Sequence, residues 1–125
     1  MILTDICTYI KTKTDVTKIF EESFPSTTEC VMARGDSSHA KVDVYLDGTE
    51  AGEQLVTFYC RSTSQTTAKN QLEKIFTAIK DADIDITGYD TLTAERVTTV
   101  TLTNETETKI YTFAFTARIK WQRSN

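Results

Sequence analysis

One proline, four glycines, one histidine and three cysteines in 125 residues exclude several kinds of chemistry and architecture. With only Pro25 and so little glycine, turns have to be built from Asn, Asp, Ser and Thr. No glycine-rich loop is present to cradle a phosphate. His39 stands alone in Asp36-Ser-Ser-His-Ala40, so a zinc site would need carboxylate ligands, and these occur at no recognisable spacing. It reads as a solvated loop histidine, since no Ser or Cys motif supplies a catalytic partner. Cys7, Cys30 and Cys60 are odd in number, far apart and set among apolar residues. That pattern fits reduced, half-buried thiols of a cytosolic product rather than a disulfide framework. No apolar run approaches the roughly 18 residues of a membrane-spanning helix, so no membrane contact is expected. The opening Met1-Ile-Leu-Thr-Asp-Ile lacks the basic region of a secretory signal. A net charge of −4 and a pI near 5.0, with 14 scattered basic residues, argue against nucleic acid as the main ligand.

What is present is a β-rich texture. Threonine makes up about a fifth of the chain and crowds the region from Thr91 to Thr116. It favours a pleated surface and tolerates water, which suggests a wide antiparallel sheet with one wet face. The final segment alternates strictly from Ile110 to Trp121. Tyr111, Phe113, Phe115, Ala117, Ile119 and Trp121 form one face; Ile110, Thr112, Ala114, Thr116, Arg118 and Lys120 form the other. At about 3.3 Å per residue it spans roughly 40 Å, longer than a small core needs. A sheet of this length suits projection or association.

The remaining elements follow from periodicity. Residues 2–12 predict an amphipathic helix through Ile2 or Leu3, Ile6 or Cys7, and Ile10. Val16 to Phe24 fits either a short helix or an extended segment, ended by Pro25. Thr28 to Arg34 reads as a strand, Gly35 to Ser38 as a turn, and Lys41 to Asp47 as a strand with Val42, Val44 and Leu46 on one face. Asp47 to Glu53 reads as a flexible loop. Gln54 to Arg61 is the next strand, with Val56, Phe58 and Cys60 on one side. Ala68, Leu72, Ile75, Phe76 and Ile79 give a helical stripe with Ser64 or Thr66 as its cap, ending near Asp81-Ala-Asp83. Ala94 to Leu102 reads as a strand with Val100 and Leu102 facing the core, and Asn104 to Glu107 as the turn into the last strand. The order gives one α+β domain over residues 1–125. It is a two-layer sandwich with a mostly antiparallel sheet, two helices on one face and a long C-terminal β-hairpin.

Motif matches carry no chemistry. Asp81, Asp83 and Asp85 alternate like a calcium loop but lack its glycine and distal glutamate. Arg34-Gly35-Asp36 and the sequon at Asn104 matter only in a secreted protein. Glu21-Glu22 and Glu105/Glu107 fit a solvated surface. Nothing supports an enzyme: no catalytic, cofactor-binding or metal-binding residue is expected, and no cofactor.

A short N-terminal helix, a proline turn and a strand meander lead to LVTFYCRSTSQTTAKNQLEKIFTAIKDAD, then to two strands closing on IYTFAFTARIKW. This layout resembles the tail-terminator, or tail-completion, minor capsid proteins of long-tailed bacteriophages. The resemblance implies a subunit that assembles as a homo-oligomeric ring, typically a hexamer, on the tail tube. The ring would stop tube polymerisation and meet the head connector, with DNA only passing through the lumen. It would belong to the virion, at the tail neck, after assembly in the bacterial host cytoplasm. An acidic subunit suits such a lumen, because a dense basic one would hold the strand by counterion release. The residues expected at partner interfaces are Asp47, Gly48, Glu50 and Glu53 of the loop and the cations Arg61, Arg118 and Lys120. The loop reads either as an inert mobile hairpin tip or as a segment that stays disordered in the free subunit and orders against the tube.

Overall fold

In the computed structural model, helix α1 (Ile2–Lys13) buries Leu3, Ile6, Cys7 and Ile10, the stripe its spacing predicts. The structure describes residues 2–16, 18–22, 29–46, 48–79, 84, 86 and 88–123, with residue 2 and residues 36–42 by their backbone alone. Strands β1 (Phe20–Glu21), β2 (Cys30–Val44) and β3 (Glu50–Ser62) follow, then helix α2 (Gln65–Ile79). Strands β4 (Thr91–Arg96), β5 (Thr101–Glu105) and β6 (Tyr111–Arg123) complete the order. The Ser64 hydroxyl accepts the Thr67 N–H at 3.2 Å and caps α2. Ala68, Leu72, Ile75, Phe76 and Ile79 are all buried under it.

The strands form one sheet in the order β1-β2-β3-β6-β4, with β5 pairing the same side of β6 as β4. All pairs are antiparallel except β1 with β2. Both helices cover one face, so the fold is the expected α+β sandwich. The core is tied together at Phe115, whose ring stacks on Phe58 at 5.2 Å and meets Phe76 of α2 edge-on at 5.3 Å. Phe113, Ala117, Ile119 and Trp121 continue that buried row along β6. The opposite face of β6 is not uniformly wet: Thr112 and Ala114 are buried, Thr116 and Arg118 half-buried, and Lys120 exposed.

Several boundaries depart from the periodicity reading. Gly35 to Ser38 does not reverse the chain. It lies inside β2, where the register jumps from Asp36 opposite Leu55 to Lys41 opposite Glu53, so the extra residues are absorbed as a bulge. The reversal comes later, at Tyr45 to Thr49. The supposed loop to Glu53 is strand from Glu50 onward, because β2 and β6 both offer backbone partners there. Val44 and Leu46 face solvent instead of the core. Ala94 to Leu102 is broken in two: Val97 and Thr98 both donate to the Thr116 carbonyl, at 2.9 and 3.2 Å, and Leu102 is left exposed. The last turn falls at Thr106 to Lys109, with Lys109 at φ 63°. The ambiguous stretch from Val16 is extended at Phe20–Glu21 and buries Val16 and Ile19; Phe24 lies outside the described residues. The expected helix end at Asp81-Ala-Asp83 also lies outside them, as do Asp85 and the His39 side chain.

Gly52 is set by packing. A Cβ there would sit 2.0 Å from a ring carbon of Trp121, so the indole lies flat on bare backbone. Two outcomes follow, both readable by urea unfolding. Phe115→Ala should destabilise the fold by about 3–5 kcal/mol, while Thr57→Ala, which loses only the 3.0 Å hydroxyl contact to Thr116, should cost about 1 kcal/mol or less. Gly52→Ala should cost roughly 1–3 kcal/mol by overpacking, and much less in a Trp121→Leu background. Strict additivity of those two changes would show that the indole is not the obstacle.

Candidate partner interface

The hairpin between β2 and β3 ends in a tight turn. Tyr45 N–H donates to the Thr49 carbonyl at 2.8 Å, and Gly48 N–H to the Tyr45 carbonyl at 3.0 Å. Gly48 takes φ 87°, which glycine adopts without the penalty a Cβ carries. The turn holds three consecutive apolar side chains in water: Val44, Tyr45 and Leu46 are 69%, 54% and 110% exposed. A tip this apolar gains nothing from the fold that carries it, so its composition points outward.

Behind the tip, ion pairs flank the strands on both faces. On the helix side Arg123 meets Glu50 at 3.2 Å and lies over the Tyr89 ring at 5.8 Å. The Tyr89 hydroxyl donates to Asp5 Oδ2 at 2.6 Å, and burial together with that carboxylate pushes its pKa up to about 12. On the outer face Arg118 bridges Glu53 at 3.0 Å and Glu95 at 3.8 Å across three neighbouring strands. Lys120 is exposed beside a shallow trough of about 300 Å³ edged by Asp43, Glu53 and Thr93. Exposed pairs of this kind contribute about 0–1 kcal/mol each, so they orient side chains more than they stabilise the sheet.

Gly48, Glu50, Glu53, Arg118 and Lys120 are therefore gathered at one end of the sheet, Glu50 on one face and Glu53, Arg118 and Lys120 on the other. Asp47 lies outside the described residues. Arg61 does not join them: it sits six residues along β3 from Leu55, the partner of Arg118, about 20 Å away. The sequence reading missed Val44, Tyr45 and Leu46 as surface residues. The available signal was the Asp47-Gly48 pair, a strong turn signal immediately after them, which makes them the tip.

Arg61 lines a second feature, a cleft of about 270 Å³ at the other end, with Val16, Lys18, Phe20, Cys30 and Cys60 among its walls. The Lys18 ammonium lies 4.9 Å over the Phe20 ring. The acids of this cleft are engaged within the chain. Asp15 takes the Lys74 ammonium at 2.9 Å, and Glu29 accepts the Thr63 N–H and hydroxyl at 3.1 and 3.0 Å. Hydrogen bonding and the charge of Lys74 hold the Asp15 carboxyl below the usual range; hydrogen bonds from Ser62 and Thr63 do the same for Glu29. Among the described residues no group of three or more His, Cys, Asp or Glu side chains converges on a point that could hold a metal ion. No described helix is long and apolar enough to cross a membrane.

Burial drives the Cys7 and Cys60 thiols up to about 12 and raises Cys30 as well. At pH 8 a thiol of that pKa is about one part in ten thousand thiolate, so Cys7 and Cys60 should resist iodoacetamide until the chain unfolds. The same shift fixes a pH dependence. The folded state keeps these protons where the unfolded chain loses them, so stability is intact below about 9 and falls as pH rises toward 12. Melting curves should show that fall, and Cys7→Ala should make it shallower. Rapid labelling of all three cysteines in the native protein would contradict the burial assignment.

No protein-family model matches the chain, and no curated protein does. Among solved structures, a chain of the virion of a native gene transfer agent particle shares the fold, with a TM-score of 0.59. The two are 9% identical, and the match covers 95% of this chain and 92% of that one.

Proposed function

We propose that this chain is a non-enzymatic structural subunit of a phage-like virion, and that it forms a ring at the end of the tail tube, ending tube polymerisation and providing the joint to the head connector. The observation that carries the reading is the end-to-end fold likeness to a gene transfer agent virion chain. Matching over nearly the full length of both chains means that the whole unit, including the overlong sheet, is the shared object. The resemblance of layout noted in the sequence supports the tail-terminator role within that class.

Three features fit a ring subunit. The sheet is longer than α2 and ends in an apolar tip. The net charge of −4 leaves a lumen that does not grip DNA. Gly48, Glu50, Glu53, Arg118 and Lys120 cluster at one end, where an axial partner such as the tube protein or the connector protein can be met. Six subunits is the proposed ring size. A head-to-tail interface that closes by rotation gives rings, whereas one that does not close gives filaments. The alternative within the same class is another neck or tail protein, a head-completion protein or a tube subunit.

Electron microscopy of the purified protein mixed with polymerised tail tubes separates these. A tail terminator caps tube ends with a ring and holds tube length fixed as free tube protein is added. A tube subunit forms long tubes by itself. A head-completion protein leaves the tube ends bare and binds the connector alone.

A further inference from the structure

The apolar tip and the cleft lie at opposite ends of the same sheet and complement one another. β3 runs 13 residues between them, roughly 40 Å, so a tip cannot reach its own cleft. Tyr45 and Leu46 offer two large apolar side chains at a hydrogen-bonded turn. The cleft offers Val16, Phe20 and Cys30 as apolar walls and about 270 Å³ of space, room for one such side chain. Charge runs the same way. Asp43 is exposed beside the tip and Asp47 follows it in sequence, whereas Lys18 and Arg61 sit at the cleft. Of the acids at the cleft, Asp15 is paired with the Lys74 ammonium, while Glu29 stays a carboxylate held by Thr63, so Lys18, Arg61 and Lys74 outnumber the acids there by one.

We propose that the Val44-Tyr45-Leu46 tip of one copy docks into the Lys18–Phe20–Cys30–Arg61 cleft of the next, making the subunit contact head-to-tail. This rests on the ring reading above and names its surfaces. Each copy uses two different surfaces, so each joined copy still presents one free tip and one free cleft, which is the condition for ring closure. An apolar anchor entering a pocket rimmed by opposite charge is the arrangement in which few residues carry much of an interface.

Two variants test it. Tyr45→Asp with Leu46→Asp disables the tip; Lys18→Glu with Phe20→Ser disables the cleft. Each alone should be monomeric at concentrations where the native chain assembles. Their mixture should stop at a pair of twice 14.1 kDa, since one intact tip and one intact cleft remain, and mass photometry reads this directly. The native protein gives a second measurement that does not depend on the variants folding: hydrogen exchange should slow together at residues 43–49 and 16–20 on assembly, and at neither alone. Rings that persist in the tip variant, or protection confined to other strands, would overturn the proposal and leave the ring reading standing. A native chain that stays monomeric up to about 1 mM and leaves tube ends bare would overturn both.

Discussion

Strand β6 is the element on which the rest of the structure depends, because it supplies partners on both of its edges. It pairs β3 from Tyr111 to Arg123 on one side and takes β4 and β5 on the other. Its alternation places Phe115 between Phe58 of β3 and Phe76 of α2, so the sheet and the helical layer are fastened at one ring. Rings of this size contribute about 1.5–3 kcal/mol each on burial, and two of them meeting on Phe115 make a dense centre for a small domain. β6 is also distant in sequence from β3, with Glu50 opposite Arg123, so closing the sheet requires ordering most of the chain first. The fold is cooperative for that reason.

Length mismatch turns this core into something more than a core. Helix α2 has 15 residues and covers about 22 Å, while β6 with 13 residues runs to roughly 43 Å. One helix therefore spans only about half of β6; toward the hairpin end Tyr89 lies beside Arg123 and is tied to Asp5 of α1. Near the hairpin end Trp121 lies on the backbone of Gly52 with the Glu50–Arg123 pair beyond it on the helix side, while Arg118 bridges Glu53 and Glu95 on the outer face. Beyond them only the hairpin tip remains.

The sequence showed the helices and the last strand well, since both depend on periodicity that survives any tertiary context. Leu72, Ile75, Phe76 and Ile79, and the row from Phe113 to Trp121, are buried as their spacing requires. It showed the connections poorly. Gly35-Asp36-Ser37-Ser38 has the chemistry of a turn, yet a long partner strand makes bulging cheaper than reversing. Glu50 to Glu53 looked loop-like because they are polar and carry glycine, but their strand character comes from neighbours on both sides and from an indole 69 residues away from Gly52. Tip residues Val44 and Leu46 were placed on one face with Val42 by alternation, which does not say whether that face is covered. The gathering of Glu53, Arg118 and Lys120 at one end, with Arg61 apart, is a matter of register, and register is not visible in a single chain.

The placement of the exposed tip at a turn also keeps an apolar surface from becoming a general hazard. Sheets usually aggregate along their edges, where unpaired N–H and C=O groups invite another strand. Here the β2 edge is interrupted by the bulge between Asp36 and Lys41, and the other edge is broken between β4 and β5 at Val97 to Val100. Neither edge presents a long straight run of backbone. The most exposed apolar residues sit in a turn three residues wide, flanked in sequence by Asp43 and Asp47, which discourage nonspecific stacking, while Val97 and Leu102 are about half exposed beside the broken edge. A partner must then offer a pocket rather than a strand, and a pocket selects for shape and charge where an edge accepts almost any extended chain. Blunted edges and a guarded tip together favour a closed, countable assembly over an open sheet.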